Sequence, residues 1–66
     1  MIKIKITKYI KFGSLTFFSD LAINEGLIIE FEVIDHVNLS ASGDFLNVEI
    51  YKQILFKNRI PFDNIS

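Results

Sequence analysis

The apolar positions of this chain recur mainly with a period of two. From Leu27 to Leu39 the odd positions carry Leu27, Ile29, Phe31, Val33, Val37 and Leu39, interrupted only by Asp35. Glu30, Glu32, His36 and Asn38 stand at even positions among Ile28 and Ile34. In an extended chain this alternation gives one apolar and one largely polar face. The β-branched and aromatic residues in it favour a pleated strand. It is therefore expected to be the central strand of an antiparallel sheet, with Phe31 in the core.

Ile2, Ile4, Ile6, Ile10 and Phe12 alternate with Lys3, Lys5, Thr7 and Lys11, which predicts a first strand with a bulge at Lys8-Tyr9. Gly13-Ser14 marks a turn, and Leu15–Phe18 reads as a short second strand. Ser19–Gly26 has two readings. One is a helical turn with Ser19 or Asp20 as N-cap and Gly26 just past its end. The other is a hairpin over Asn24-Glu25-Gly26, which the shortness of the segment favours.

Ser40–Asp44 is small and polar and is expected to be a mobile loop. Phe45–Tyr51 alternates again and predicts a strand that continues through Gln53–Phe56. A helical reading of Tyr51–Arg59 stays open, because short apolar runs are ambiguous. Pro61 confines any last strand to an edge. The expectation is one all-β domain over 1–66, with four to five mostly antiparallel strands. It would form a small barrel or curled sheet, with room for one short helical turn.

Composition adds a tension. Half of the 66 residues are hydrophobic and nine are aromatic, yet a chain this short hides only about 60% of its unfolded surface. The surplus is expected to be covered by a protein partner or by self-association. Phe17 or Phe18, which a strand would send to opposite faces, are candidates for that contact, with Tyr51, Phe56 and Phe62; Lys11, Lys52 and Arg59 would form a charged rim. Cysteine is absent, so neither disulfides nor thiolate metal sites are available. No apolar run approaches the roughly 18 residues of a membrane helix, and the N-terminus lacks a signal peptide's apolar core. These features point to a cytoplasmic protein.

Charge is sorted along the chain. Met1–Phe12 holds four lysines and no acid, Gly13–Ile50 seven acids and no Lys or Arg, and Tyr51–Ser66 three bases and one acid. A uniform basic nucleic-acid surface is disfavoured by this order. Lys3, Lys5, Lys8 and Lys11 with Tyr9 and Phe12 do suit a single-strand-binding barrel, but Glu30 and Glu32 would repel a phosphate backbone. Cross-strand pairing of Lys3 and Lys5 with Glu30 and Glu32 accounts for the sorting better.

Catalytic chemistry finds little support. His36 has only Asp44 as an evident co-ligand, too few for a metal. Ser40 and Ser42 lie near His36 in sequence without residues to build a pocket. Glu30 and Glu32 could mimic a paired-carboxylate site, but the chain is too short to enclose a substrate cleft. The three glycines form no phosphate loop. No enzyme, cofactor, metal or small-molecule substrate is expected.

Leu27-x-Ile29-x-Phe31-x-Val33, a polar loop and then Asn47-Val48-Glu49-Ile50-Tyr51 resemble a strand pairing of bacteriophage tail-hub and baseplate β-domains. The resemblance covers Leu27–Tyr51; the family continues with Asn-Leu where this chain has Lys52-Gln53. It implies a structural subunit of a virion or related particle, with no catalytic residues. A small phage-type inhibitor, its acidic middle mimicking nucleic acid, is the alternative.

Overall fold

A computed structural model describes residues 1–65; Ser66, the last residue of the expected domain, lies outside them. The elements in chain order are β1 (Ile2–Thr7), α1 (Leu15–Asn24), β2 (Glu30–Val33), β3 (Asn38–Gly43), α2 (Phe45–Lys57) and β4 (Asp63–Asn64), with a 3₁₀ turn at Tyr9–Lys11. The sheet is open and antiparallel throughout, in the order β2-β3-β1-β4. This order is that of the split β-α-β arrangement. The expectation of an all-β barrel is therefore wrong: two helices lie on a four-stranded sheet.

The long central strand expected over Leu27–Leu39 divides where its alternation faltered. Asp35 makes the turn between β2 and β3. Its Oδ1 accepts the N–H groups of Val37 and Asn38 at 2.9 and 3.1 Å, and its Oδ2 accepts Asn38 Nδ2 at 2.9 Å. Side-chain acceptance two residues on is how Asp replaces a backbone turn bond. β2 thereby becomes an edge strand. Phe31 still packs against the core, edge-on to Tyr51 with ring centroids 5.7 Å apart.

Of the supposed mobile loop Ser40–Asp44, Ser40–Gly43 is instead the greater part of β3, paired with β1 and β2 and next to the middle of the sheet, and Asp44 caps α2. Leu39 and Ala41 turn to the core with Ile4 and Ile6 of β1. Ser40 and Ser42 turn to the opposite face, where they line the same depression as Lys3, Glu30 and Glu32. Small residues make a strand here because both neighbours supply hydrogen-bond partners, which local composition cannot reveal.

The strands predicted at Leu15–Phe18 and Phe45–Phe56 are helical, and Ser19–Asn24 is helix rather than hairpin, with Gly26 just past its end but Ser19 and Asp20 inside it rather than at an N-cap. Ser14 caps α1, its hydroxyl accepting Phe17 N–H at 3.2 Å. Phe18 and Ala22, four residues apart, form the buried stripe of α1. Asp44 caps α2 in the same way, accepting Asn47 N–H at 2.9 Å, and Val48, Tyr51 and Leu55 follow at helical spacing to fill the core. Tyr51 joins the two helices, its phenol donating to Phe18 O at 2.9 Å. The predicted bulge at Lys8-Tyr9 is a left-handed residue, Lys8 with φ 54°, leading into the 3₁₀ turn. Pro61 stands just before β4, an edge strand.

Candidate interaction surface

Because Val48, Tyr51 and Leu55 face inward, helical spacing sends Phe45, Glu49, Lys52 and Phe56 outward along one stripe. Phe56 is 79% exposed. Lys52 and Glu49 pair at 2.8 Å, the one ion pair among the described residues.

α2 ends in a Schellman motif. Arg59 N–H donates to Phe56 O at 3.0 Å and Ile60 N–H to Leu55 O at 2.9 Å. Ile60 is buried with Leu55 in the core, which anchors the turn. The motif places Arg59 at φ 58°, in the left-handed region where glycine is the usual residue. For a residue with a Cβ this costs about 1–2 kcal/mol. Arg59 is exposed and makes no ion pair among the described residues.

Two adjoining grooves share Phe56 and Lys57. One is further lined by Arg59, Ile60 and Pro61, the other by Glu49, Lys52, Gln53 and Phe62. Four of the eight residues expected at an interface, Lys52, Phe56, Arg59 and Phe62, thus come together. Phe17 and Lys11 line neither groove and stand on the first turn of α1 and on the 3₁₀ turn. Phe18 and Tyr51 are core residues and cannot contribute to a contact surface. Burial pushes the Tyr51 phenol well above its ordinary pKa. Their assignment outward rested on strand geometry, and the helix reverses it. Lys57 and Pro61 went unrecognised, as did Phe45, Leu46 and Ile28, all strongly exposed. The capping sequence at Asp44 was the signal that could have exposed Phe45 and Leu46.

The charged rows on the uncovered sheet face are in register but not adjacent. Lys3 aligns with Ser42 and Ser42 with Glu30, while Lys5 aligns with Ser40 and Ser40 with Glu32. β3 therefore separates the lysines from the glutamates by two strand spacings, about 9–10 Å, and the expected direct pairing is wrong. Asp63 of β4 aligns with Lys5 on the other side.

The acidic middle of the sequence is not one surface. Asp35 and Asp44 are occupied as turn and cap acceptors. The N–H of Val37 and the side chain of Asn38 hold the Asp35 carboxyl below its usual pKa, and the backbone and side chain of Asn47 do the same for Asp44. Glu49 is paired with Lys52. Glu30 and Glu32 remain as exposed acids on the outer strand, and Asp20 and Glu25 are exposed on α1 and at its end. His36 stands exposed in the β2–β3 turn. No group of three His, Asp or Glu side chains among the described residues is placed to hold a metal. No helix among them is long and apolar enough to cross a membrane. No family model, curated protein or solved structure matches the chain.

Proposed function

We propose that this chain is a non-enzymatic subunit of a larger assembly, held in place by protein contacts rather than acting alone. The observation that carries this reading is that fourteen large apolar side chains stay exposed among the described residues. Phe56 is one of them, set between two grooves with basic residues at their borders. Lone exposed hydrophobics are ordinary, whereas a cluster rimmed by polar groups marks an interaction site. The resemblance over Leu27–Tyr51 suggests a virion particle as the assembly; that stretch folds as β2, β3 and the first half of α2.

Phe56→Ser tests the role. Its thermal midpoint should stay within a few degrees of the parent, since exposed substitutions usually change stability by about 0.5 kcal/mol or less. Its association, with itself or with a purified protein encoded beside it, should fall. A parent chain that binds neither itself nor any such neighbour would defeat the reading, as would a Phe56→Ser variant that associates as well as the parent.

A further inference from the structure

The free edge of β2 and the C-terminal end of α2 differ in charge. Along β2 stand Glu30 and Glu32, both exposed, and beside them Ile28 at 77% exposure and Val33. The outer backbone edge of β2 has no strand against it. At the C-terminal end of α2, the turn that leads towards β4 carries Phe56, Lys57, Arg59 and Pro61. Glu30, Glu32 and Arg59 make no ion pair among the described residues.

Pairing of β2 with β2 of a second copy is disfavoured in the register centred on Phe31 and in the one shifted from it by a single residue. Aligning Phe31 with its counterpart sets Glu30 against Glu32, and like charges directly opposite destabilise a sheet. Shifting by one residue brings Phe31 onto the same face as the other copy's Glu32, mixing the apolar and charged faces. A basic, apolar surface suits this edge in both respects, and the chain possesses one.

Arg59 points the same way. Glycine would satisfy the Schellman turn without the left-handed cost, so a cationic side chain is held there at the expense of the fold. Strain in one residue, over-determined by its surroundings, is a marker of a functional position.

We propose that the Phe56–Arg59 surface receives the β2 edge of a second copy of this chain. Arg59 meets the Glu30/Glu32 pair, and Phe56 covers the apolar Ile28 beside them. The contact joins two different surfaces, so repetition builds a ring or a filament rather than a closed two-fold dimer. This inference rests on the assembly role proposed above and names the partner for its basic surface.

Sedimentation of the full chain over a range of concentrations, at low and high salt, tests it. The parent should form species larger than a dimer, and association should weaken as salt rises. Arg59→Gly should weaken association about tenfold or more while leaving the thermal midpoint unchanged or higher. Arg59→Glu and the double variant Glu30→Lys/Glu32→Lys should each be monomeric alone. Mixed in equal amounts they should again form species larger than a dimer, because Arg59 of one variant meets Glu30 and Glu32 of the other and the reversed charges complement each other at the alternate contact. A parent that is monomeric at millimolar concentration overturns the proposal, as does a mixture that stays monomeric or an Arg59→Gly chain that associates normally. Should the chain prove monomeric while Phe56→Ser still loses a neighbouring protein, the inference about the second copy fails and the assembly role stands.

Discussion

The two helices end in the same hydrogen-bonded turn and fill its key position differently. In α1, Gly26 N–H donates to Ile23 O at 3.0 Å and Leu27 N–H to Ala22 O at 2.9 Å, with Gly26 at φ 69°. In α2 the corresponding donors are Arg59 and Ile60, with Arg59 at φ 58°. Glycine adopts the left-handed conformation freely, while arginine must be forced into it. The apolar residue that follows differs as well. Leu27 is half-buried over the small Ala22, whereas Ile60 is buried with Leu55. The comparison teaches that α1 closes with the residue best suited to the turn. α2 closes with one that is not, and a more deeply buried apolar anchor follows it.

The largest expected effects test that anchor. Ile60→Ala should cost about 2–5 kcal/mol, as large-to-small changes in cores do. Leu27→Ala should cost distinctly less, because part of that side chain already meets solvent. Urea denaturation of both variants checks the order, and equal losses would break the asymmetry between the two ends. Tyr51→Ala, which empties the core between the helices and removes the bond to Phe18 O, should cost about 3–5 kcal/mol. That is enough to unfold a domain of this size at ordinary temperature.

Reciprocal substitution at the two left-handed positions comes next. A Cβ at Gly26 would meet nothing within 4 Å, so Gly26→Ala is a purely conformational change and should destabilise by about 1–2 kcal/mol. Arg59→Gly relieves the same strain but gives the unfolded chain more freedom. A net gain of about 0.5–1 kcal/mol is expected. Thermal melts of the two variants should therefore move in opposite directions. If Arg59→Gly lowers the midpoint, the arginine serves the fold itself and the contrast with Gly26 disappears.

Much of this contrast could be read from the sequence once helices are allowed, and the reason they were missed is physical. Val48, Leu46 and Ile50 alternate with period two, while Val48, Tyr51 and Leu55 recur with helical spacing, and both patterns coexist in one apolar stretch. The caps Ser14 and Asp44 were the tie-breakers. Ser40–Gly43 is harder, because its composition is that of a loop and it becomes a strand only through β1 and β2 on either side. β1 over Ile2–Thr7, the break in the chain at Gly13-Ser14 and the edge position after Pro61 were legible from local chemistry, whereas Ile10 and Phe12 were read into the strand and belong to the 3₁₀ turn and its end. At the surface, Phe56, Phe62, Lys52 and Arg59 were legible as an apolar group with charges. Phe18 and Tyr51 were misplaced, because the helices turn them to the core and a strand would not. The left-handed turn at Arg59 had no signal, since an arginine gives no hint of positive φ.

The smallest effect concerns the opposite ends of the same helices. Ser14 caps α1 with a hydroxyl that does not titrate, whereas Asp44 caps α2 with a carboxylate. The bonds from Asn47 favour the charged form and lower the Asp44 pKa in the folded chain. A depressed carboxyl pKa contributes stability that is fully present above the unfolded value, about 3.9 for Asp. That contribution is lost as pH falls through the lower folded value. Acidification below about pH 4 should therefore loosen the first turn of α2 while the first turn of α1 keeps its cap. Asp35 titrates in the same direction, so the β2–β3 turn should loosen in parallel, and a global melt would mix the two. Residue-resolved amide exchange separates them. Protection at Asn47 and Val48 should fall with pH in the parent and become nearly independent of it in Asp44→Ser, while Phe17 and Phe18 stay unchanged in both. Equal acid loss at the starts of the two helices would show that their caps do not differ as the bonding implies.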